Sequence, residues 1–284
     1  MNRCFVVLSI VLVGLGAGCD RSTTSPSPVI PPQPPAARPP APGPATRTLY
    51  GYVNDTAFRP IEGVRVEVID GPDAGTQLTS DGQGRFSYVG SFPERVSMRA
   101  TKAGYTVATS TAFFSAQTET AWVWFELPPI ASPANPEGNY HLTLDLDAAC
   151  QGFPGELRTR SYEAQLRYRS RTAFNGEVTG AMFAPFSNQF FVGVAGDYVA
   201  ISTEAEGPAI VEQVGPQSYI SFFGVAGATV PMGGLPTISA PFRGVIEYCE
   251  LKAPVGQYYD CSDTLAAVKT QCTSENSRLT LTPR

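Results

Sequence analysis

A chain of 284 residues allows about two domains of the usual 100–150 residues each. Only 16% of the residues are charged, the net charge is −5 and no basic block occurs, so the sequence lacks the electrostatic footprint of a nucleic-acid binder. Helix-favouring runs with 3.6-residue spacing are absent, whereas Gly, Pro, Tyr and Phe are plentiful. An all-β protein is therefore predicted.

Residues 1–19 have the layout of a signal peptide for export. Arg3 supplies the positive charge, and the apolar stretch 5–15 is shorter than the ~20 residues of a membrane-spanning helix. The following residues 15–19 (LGAGC) resemble the lipobox of bacterial lipoproteins, although its usual leucine stands one place further from the cysteine. The resemblance implies that Cys19 is lipidated and anchors the chain to the bacterial cell envelope. A plain signal peptide with an incidental cysteine is the alternative.

Residues 20–46 are predicted to be a linker. The stretch from Ser22 to Thr46 contains ten prolines and almost no large apolar side chains, so it cannot bury enough surface to fold. Extended polyproline II geometry is expected, at ~3.1 Å per residue, which gives the spacer a reach of up to ~75 Å.

Residues 47–128 are predicted to form a β-sandwich. Short alternating runs are separated by turn signals, among them the segments 70–72 (DGP) and 81–84 (DGQG). Seven strands without a helix between them favour an antiparallel Greek-key sandwich. The predicted strands are 49–53, 64–69, 76–79, 85–89, 96–101, 106–112 and 120–127.

Four segments of this domain resemble one known family. The segments 51–53 (GYV), 60–66 (PIEGVRV), 79–86 (TSDGQGRF) and 102–105 (KAGY) are similar, in order and spacing, to the carboxypeptidase regulatory-like domain. The resemblance implies a transthyretin-like sandwich. It implies no peptidase activity, because such domains accompany enzymes, receptors and adhesins as non-catalytic modules.

After a linker at 129–137, residues 138–284 are again rich in predicted strands. The opening run 140–147 and the closing run 278–282 both place leucines on one face. Pairing the first strand with the last would remove the sheet edges, so an antiparallel up-and-down barrel of about eight strands is predicted, with a second sandwich as the alternative. The intervening predicted strands are 158–170, 174–182, 189–196, 198–204, 209–214, 218–226 and 238–248. The domain also resembles a repeated pattern of bacterial secreted proteins, which implies no activity.

Four cysteines lie beyond the lipobox, all of them in the second domain. An even number in an exported chain predicts two disulfides, which three connectivities would satisfy. We favour Cys150–Cys272, which would tie the ends of the barrel together, and Cys249–Cys261, which would close a local loop. Zinc binding is the rival interpretation, but the shortest gap is eleven positions and no Cys-x-x-Cys pair occurs, so no metal is expected.

The search for catalytic residues is mostly negative. His141 is the only histidine, and alternation places it with Asp145 and Asp147 on the polar face of a strand. Serine-hydrolase, phosphate-binding and zinc-protease motifs do not occur, and no cofactor is implied. A hydrolase with a pair of carboxylates inside the barrel is kept as the alternative function, because such pairs come from distant strands.

One feature predicts binding. Trp122 and Trp124 alternate with aliphatic residues in the last strand of the sandwich, as Tyr50 and Tyr52 do in its first strand. If the small residues face the core, four aromatic rings point outward and form a platform for a sugar or a protein partner. The alternative is that this face packs against the second domain or the Pro-rich segment. The sequence thus predicts a non-catalytic, lipid-anchored envelope module that binds or serves as structure; it does not name the ligand, and carbohydrate is one candidate.

Overall fold

The structure, a computed structural model, describes residues 45–115, 118–203, 210–233, 235–252 and 266–284. The predicted signal peptide, Cys19 and nearly all of the Pro-rich linker lie outside these ranges. The regular structure of the described residues is all β, with sixteen strands and one short 3₁₀ turn at Gly155–Leu157. Within these ranges no helix is long and apolar enough to cross a membrane.

The first seven strands form the predicted sandwich. One sheet has the order β4-β1-β7 and the other β3-β2-β5-β6. A single core lies between them, in which Leu49, Val66, Met98 and Val123 are almost completely buried. The strands are β1 (Ala45–Asp55), β2 (Arg65–Val68), β3 (Gln77–Thr79), β4 (Arg85–Phe92), β5 (Arg95–Thr101), β6 (Ala108–Phe113) and β7 (Thr120–Leu127).

One strand pair differs from the antiparallel arrangement expected for this domain. β1 and β7 run parallel, with partners from Thr48↔Thr120 to Asp55↔Leu127. Parallel neighbours cannot be joined by a hairpin and need a crossover connection. The chain supplies that crossover by passing through the opposite sheet between the two strands. The parallel register sets Tyr50 beside Trp122 and Tyr52 beside Trp124.

The next nine strands form a closed antiparallel barrel. β8 and β16 pair along Arg278↔Asp145 to Pro283↔Tyr140, which closes the sheet as predicted and rules out the alternative of a second sandwich. The strands are β8 (Gly138–Asp145), β9 (Thr159–Ser170), β10 (Ala173–Thr179), β11 (Gln189–Ala195), β12 (Tyr198–Ser202), β13 (Ile210–Gly215), β14 (Ser218–Thr229), β15 (Ile238–Leu251) and β16 (Ala266–Pro283).

Nine strands fill eight positions because β12 and β13 share one. β12 pairs with the second half of the long strand β14, and β13 pairs with its first half. Between them, the Thr203 hydroxyl accepts a 2.8 Å hydrogen bond from the Gly224 amide. The two short strands therefore follow one another along the same neighbour.

The barrel interior is packed with side chains. Leu142, Leu144, Tyr162, Phe222 and their neighbours enclose a cavity of only about 10 Å³, which is room for a single water molecule. The described part of the barrel therefore serves as a solid core rather than as a container for a small ligand.

The sandwich contacts the barrel through the loop that follows β1. The Thr56 hydroxyl donates a 2.5 Å hydrogen bond to the Val194 carbonyl, and the Arg59 guanidinium lies 4.2 Å from the ring centroid of Tyr198. Position 193 has to be glycine, because the Thr56 carbonyl oxygen lies 2.1 Å from where a Cβ atom would stand. This contact does not involve the outward aromatic side chains of β1 and β7.

Candidate ligand-binding site

Four aromatic side chains line the outer face of the sheet β4-β1-β7. Alternation along β7 buries Ala121, Val123, Phe125 and Leu127 and turns the tryptophans outward. The same alternation along β1 turns the tyrosines to the same side, since their cross-strand partners are the tryptophans. We call this set the aromatic ladder; its members are Tyr50, Tyr52, Trp122 and Trp124.

The four rings of the ladder are nearly parallel and in contact. Tyr50 and Trp122 have centroids 4.9 Å apart with 26° between their planes, and Tyr52 lies 5.7 Å from Trp122 at 9°. Trp124 is 6.4 Å from Tyr52 and 6.2 Å from Trp122, at 15° and 23°. Such offset pairs contribute about 0.5–1.5 kcal/mol each beyond the burial of area. The rings therefore hold one another in place before any ligand arrives.

The ladder is open to solvent. Trp124 is 61% exposed, Trp122 47% and Tyr50 38%. Contiguous exposed apolar surface on a protein usually marks a contact with a ligand or partner. Of the sequence alternatives, packing of this face against the second domain is not seen among the described residues. The predicted Pro-rich neighbour lies almost entirely outside the described residues.

Polar groups flank the ladder at one end. The Arg85 guanidinium, from β4, lies 5.8 Å from the ring centroid of Tyr52. Glu126 follows Trp124 on the outer face of β7 and stands opposite Asn54 of β1. Partial burial of its carboxyl, followed by the negative charge of Asp55, raises the pKa of Glu126 above its usual value.

The predicted disulfide between Cys150 and Cys272 is present, with Cα atoms 5.5 Å apart. It joins the loop after β8 to β16, across the closing seam of the barrel. Cys249 is also in a disulfide, and its predicted partner Cys261 lies outside the described residues. Disulfides are typical of exported proteins. Among the residues with described positions, no group of three metal-ligating side chains converges.

His141 lies on the outer wall of the barrel, as alternation predicts. Its Nδ1 atom is 3.7 Å from one carboxylate oxygen of Glu163, and the other oxygen accepts a hydrogen bond from Arg284. The side chains of His141 and Glu163 are 49% and 42% exposed. This arrangement is a solvated surface cluster.

Sequence reasoning missed a buried charged cluster at one end of the barrel interior. The Glu212 side chain is 4% exposed and accepts hydrogen bonds from the Arg160 guanidinium and, at 2.8 Å, from the Tyr162 hydroxyl. Burial, and then the charge of Glu212, raise the pKa of Tyr162. The sequence does contain a signal for this cluster, because Glu212 is the one charged residue in the apolar run 210–214.

This cluster bears on the alternative function. Glu212 is the one buried carboxylate of the barrel among the described residues, and an arginine neutralises it. A glycosidase needs two carboxyl groups ~5–10 Å apart with a space between them for the substrate. The described interior supplies neither the second carboxylate nor the space.

Phe186 occupies an unusual position at the tip of the loop between β10 and β11. The Ser187 amide donates a hydrogen bond to the Ala184 carbonyl, which closes a turn with Pro185 at its second position. Proline fixes a negative φ, and Phe186 has φ +62°, so the turn is type II and Phe186 stands where glycine is favoured. Its ring is 86% exposed. The turn therefore presents an aromatic side chain at a cost in backbone strain.

Replacing Phe186 by glycine is expected to raise the free energy of unfolding by about 0.5–1 kcal/mol. Relief of the left-handed conformation, worth ~1–3 kcal/mol, exceeds the entropic cost of the new glycine. Phe113→Gly is the matched control: Phe113 is also exposed but lies in β6, so the same change should destabilise. Urea unfolding of both variants measures the change in the free energy of unfolding. Equal destabilisation by the two substitutions would show that Phe186 is not in a strained backbone conformation.

Comparisons with known proteins add little. No protein-family model matches the chain, and no curated protein does either. The resemblance to carboxypeptidase regulatory-like domains therefore stays a prediction. Three solved structures are similar over 82–84% of this chain: the TIE protein of Bacillus anthracis, the shaft pilin spaA of Lactobacillus rhamnosus GG and the major pilin subunit BcpA of Bacillus cereus.

The likeness to these structures is distant. Sequence identities are 12%, 11% and 10%, and TM-scores are 0.26, 0.23 and 0.24. The matched part spans about half of the TIE protein (49%), 96% of the first pilin and 85% of the second. TM-scores of this size do not establish a shared fold, so we draw no conclusion from them about fold or function.

Proposed function

We propose that this chain is a non-catalytic module of the bacterial cell envelope, anchored through a lipid on Cys19, whose aromatic ladder binds carbohydrate. The observation that carries the proposal is a set of four near-parallel aromatic rings on the outer face of one sheet, three of which are exposed. An aromatic face that no neighbouring ring covers offers a sugar ring an apolar surface against which its C–H groups pack. Polar groups beside such a surface then select the orientation of the hydroxyls.

The ladder suits this task because it is ordered in advance. Aromatic side chains have few rotatable bonds, and each ring of the ladder already packs against at least one other. A ligand that settles on it therefore loses little affinity to the immobilisation of side chains. The disulfide-bonded barrel would act as a stable scaffold, in an oxidising compartment that suits an exported protein.

The chemistry of the barrel favours this function over the hydrolase alternative. Its described interior is filled with apolar side chains, and the buried Glu212 is already paired with Arg160. A protein partner on the ladder is the competing occupant. Two results together would identify a protein partner: no glycan binds, and an intact ladder is required for binding to another envelope protein.

Binding of neutral oligosaccharides to the purified protein tests the proposal. The double change Trp122→Ala with Trp124→Ala is expected to weaken binding at least ~100-fold, at roughly tenfold per ring or ~1.4 kcal/mol each. Because both rings reach solvent, the free energy of unfolding should fall by less than the ~3–5 kcal/mol per ring that is typical of buried aromatic residues.

Phe113→Ala is the matched control for this experiment. Phe113 is an exposed aromatic residue of the same sandwich, but it lies on β6 of the opposite sheet. This variant should bind as the wild type does. Failure of every oligosaccharide to bind, or undiminished binding by the double variant, would refute the function.

A further inference from the structure

Glu126 is a carboxylate beside the ladder with no hydrogen-bond donor in the part of the chain that the structure describes. Among the described residues, its carboxyl group accepts no hydrogen bond and forms no ion pair. It lies two positions beyond Trp124 on the outward face of β7, so the two side chains are about 6–7 Å apart at their bases. The side chain of Glu126 is exposed to solvent, so its carboxylate oxygens are open to a ligand that lies on Trp124.

The neighbouring carboxylate is arranged in the opposite way. Asp55 is 2% exposed and accepts hydrogen bonds from the amides of Ala57 and Arg59, at 2.8 and 3.0 Å, and from the Arg59 guanidinium at 2.8 Å. Its lone pairs are occupied, and the charge of Arg59 is committed to it. Asp55 therefore repels Glu126 without supplying it with any donor.

A sugar that stacks on Trp124 would bring donors to this position. A pyranose ring lying on an aromatic face turns its axial C–H groups toward that face. Its equatorial hydroxyls then point outward around the rim, toward whatever stands beside the aromatic ring. Two neighbouring equatorial hydroxyls match the two oxygens of one carboxylate, which accepts charge-assisted hydrogen bonds.

We propose that Glu126 accepts hydrogen bonds from two adjacent equatorial hydroxyls of a neutral sugar ring stacked on Trp124. The ligand class is therefore a neutral glycan of all-equatorial hexopyranoses. Two further polar side chains flank the same surface: Asn54 stands opposite Glu126, and Arg85 lies on the other side of Tyr52. This inference rests on the proposed function, since it assumes that the ladder binds sugar.

Three tetrasaccharide probes test the ligand class by titration calorimetry. Cellotetraose is neutral with equatorial hydroxyls, β-1,4-mannotetraose is neutral with an axial 2-hydroxyl that breaks the equatorial 2,3-pair in each ring, and the tetramer of glucosamine is cationic. Cellotetraose is expected to bind the wild type best. Tighter binding of the mannose tetramer would overturn the contact with two equatorial hydroxyls. Tighter binding of the cationic tetramer that depends on Glu126 would show that the carboxylate recognises an ammonium group instead of a diol.

Substitutions at position 126 test the role of the carboxylate. Glu126→Ala is expected to weaken cellotetraose binding ~30-fold or more, and Glu126→Gln by less, because the amide keeps one acceptor oxygen. Glu119→Gln is the matched control, an exposed glutamate just before the other end of β7, and should bind normally.

The outcomes separate this inference from the proposed function. Absence of binding by all three tetrasaccharides to the wild type counts against sugar binding by the ladder itself. Binding that needs Trp122 and Trp124 but is unchanged in Glu126→Ala preserves the function and overturns the role of Glu126.

Discussion

Replacing Cys150 and Cys272 together by serine is expected to lower the free energy of unfolding by about 4–5 kcal/mol. The bond joins residues 122 positions apart, and a covalent link across so long a loop removes much of the entropy of the unfolded chain. It also fastens the loop after β8 to β16, the two strands that close the barrel. Cys150 is buried in the barrel core, so the introduced serine adds a polar group there.

Urea unfolding of the double variant, compared with the oxidised wild type, measures this effect. Ser274→Ala is the control, because its hydroxyl donates a 2.6 Å hydrogen bond to Asp147 across the same seam without a covalent bond. That change should cost ~1 kcal/mol or less. An equal stability of the wild type and the cysteine variant would show that strand pairing alone holds the seam.

Replacing Glu212 by alanine is expected to cost about 3–5 kcal/mol. Removing one partner of a buried ion pair leaves the other charge uncompensated, here the guanidinium of Arg160. The Tyr162 hydroxyl, which belongs to a buried side chain, loses its acceptor as well. Thermal and urea unfolding measure the loss.

Glu163→Ala is the matched control for the buried pair. Glu163 also pairs with an arginine, Arg284, but on the outer wall of the same barrel, where both side chains are exposed. Exposed pairs contribute ~0–1 kcal/mol, so this change should be nearly silent. If both variants lost the same free energy of unfolding, burial would not make the pair of Glu212 more important than the exposed pair.

The strands were predictable from sequence where one face of a strand is buried. Period-two alternation predicted β7, with its tryptophans outward, and predicted the leucines of β8 and β16 that close the barrel. β16 begins at Ala266, well before the predicted 278, because residues 266–276 are polar or exposed on both faces and show no apolar alternation. Their strand structure comes from pairing with the long strand β15.

Other features depend on tertiary structure and leave weaker traces in the sequence. The parallel pairing of β1 and β7 is a matter of topology, so no local pattern distinguishes it from the antiparallel arrangement. The sharing of one barrel position by β12 and β13 follows from the length of β14. Phe186 occupies a turn position that favours glycine. That position can be recognised only from the hydrogen bond between the Ser187 amide and the Ala184 carbonyl, which shows where the turn lies.

The candidate site was predicted in part. Alternation alone identified its four aromatic residues, but their mutual stacking required the register Tyr50↔Trp122 and Tyr52↔Trp124. Glu126 was not singled out, since an exposed glutamate at the end of a strand is ordinary in sequence. Its significance comes from its place beyond Trp124 and from a contrast: Asp55 has hydrogen-bond donors, and Glu126 has none among the residues with described positions.

Tryptophan fluorescence tests the central claim most directly, because the chain has only two tryptophans and both belong to the ladder. The free protein is expected to emit at long wavelength and to be quenched readily by iodide or acrylamide. Saturating oligosaccharide should then shift the emission to shorter wavelength and protect it from the quencher. Short-wavelength emission that is already protected without ligand, and unchanged by any glycan, would contradict an open binding ladder.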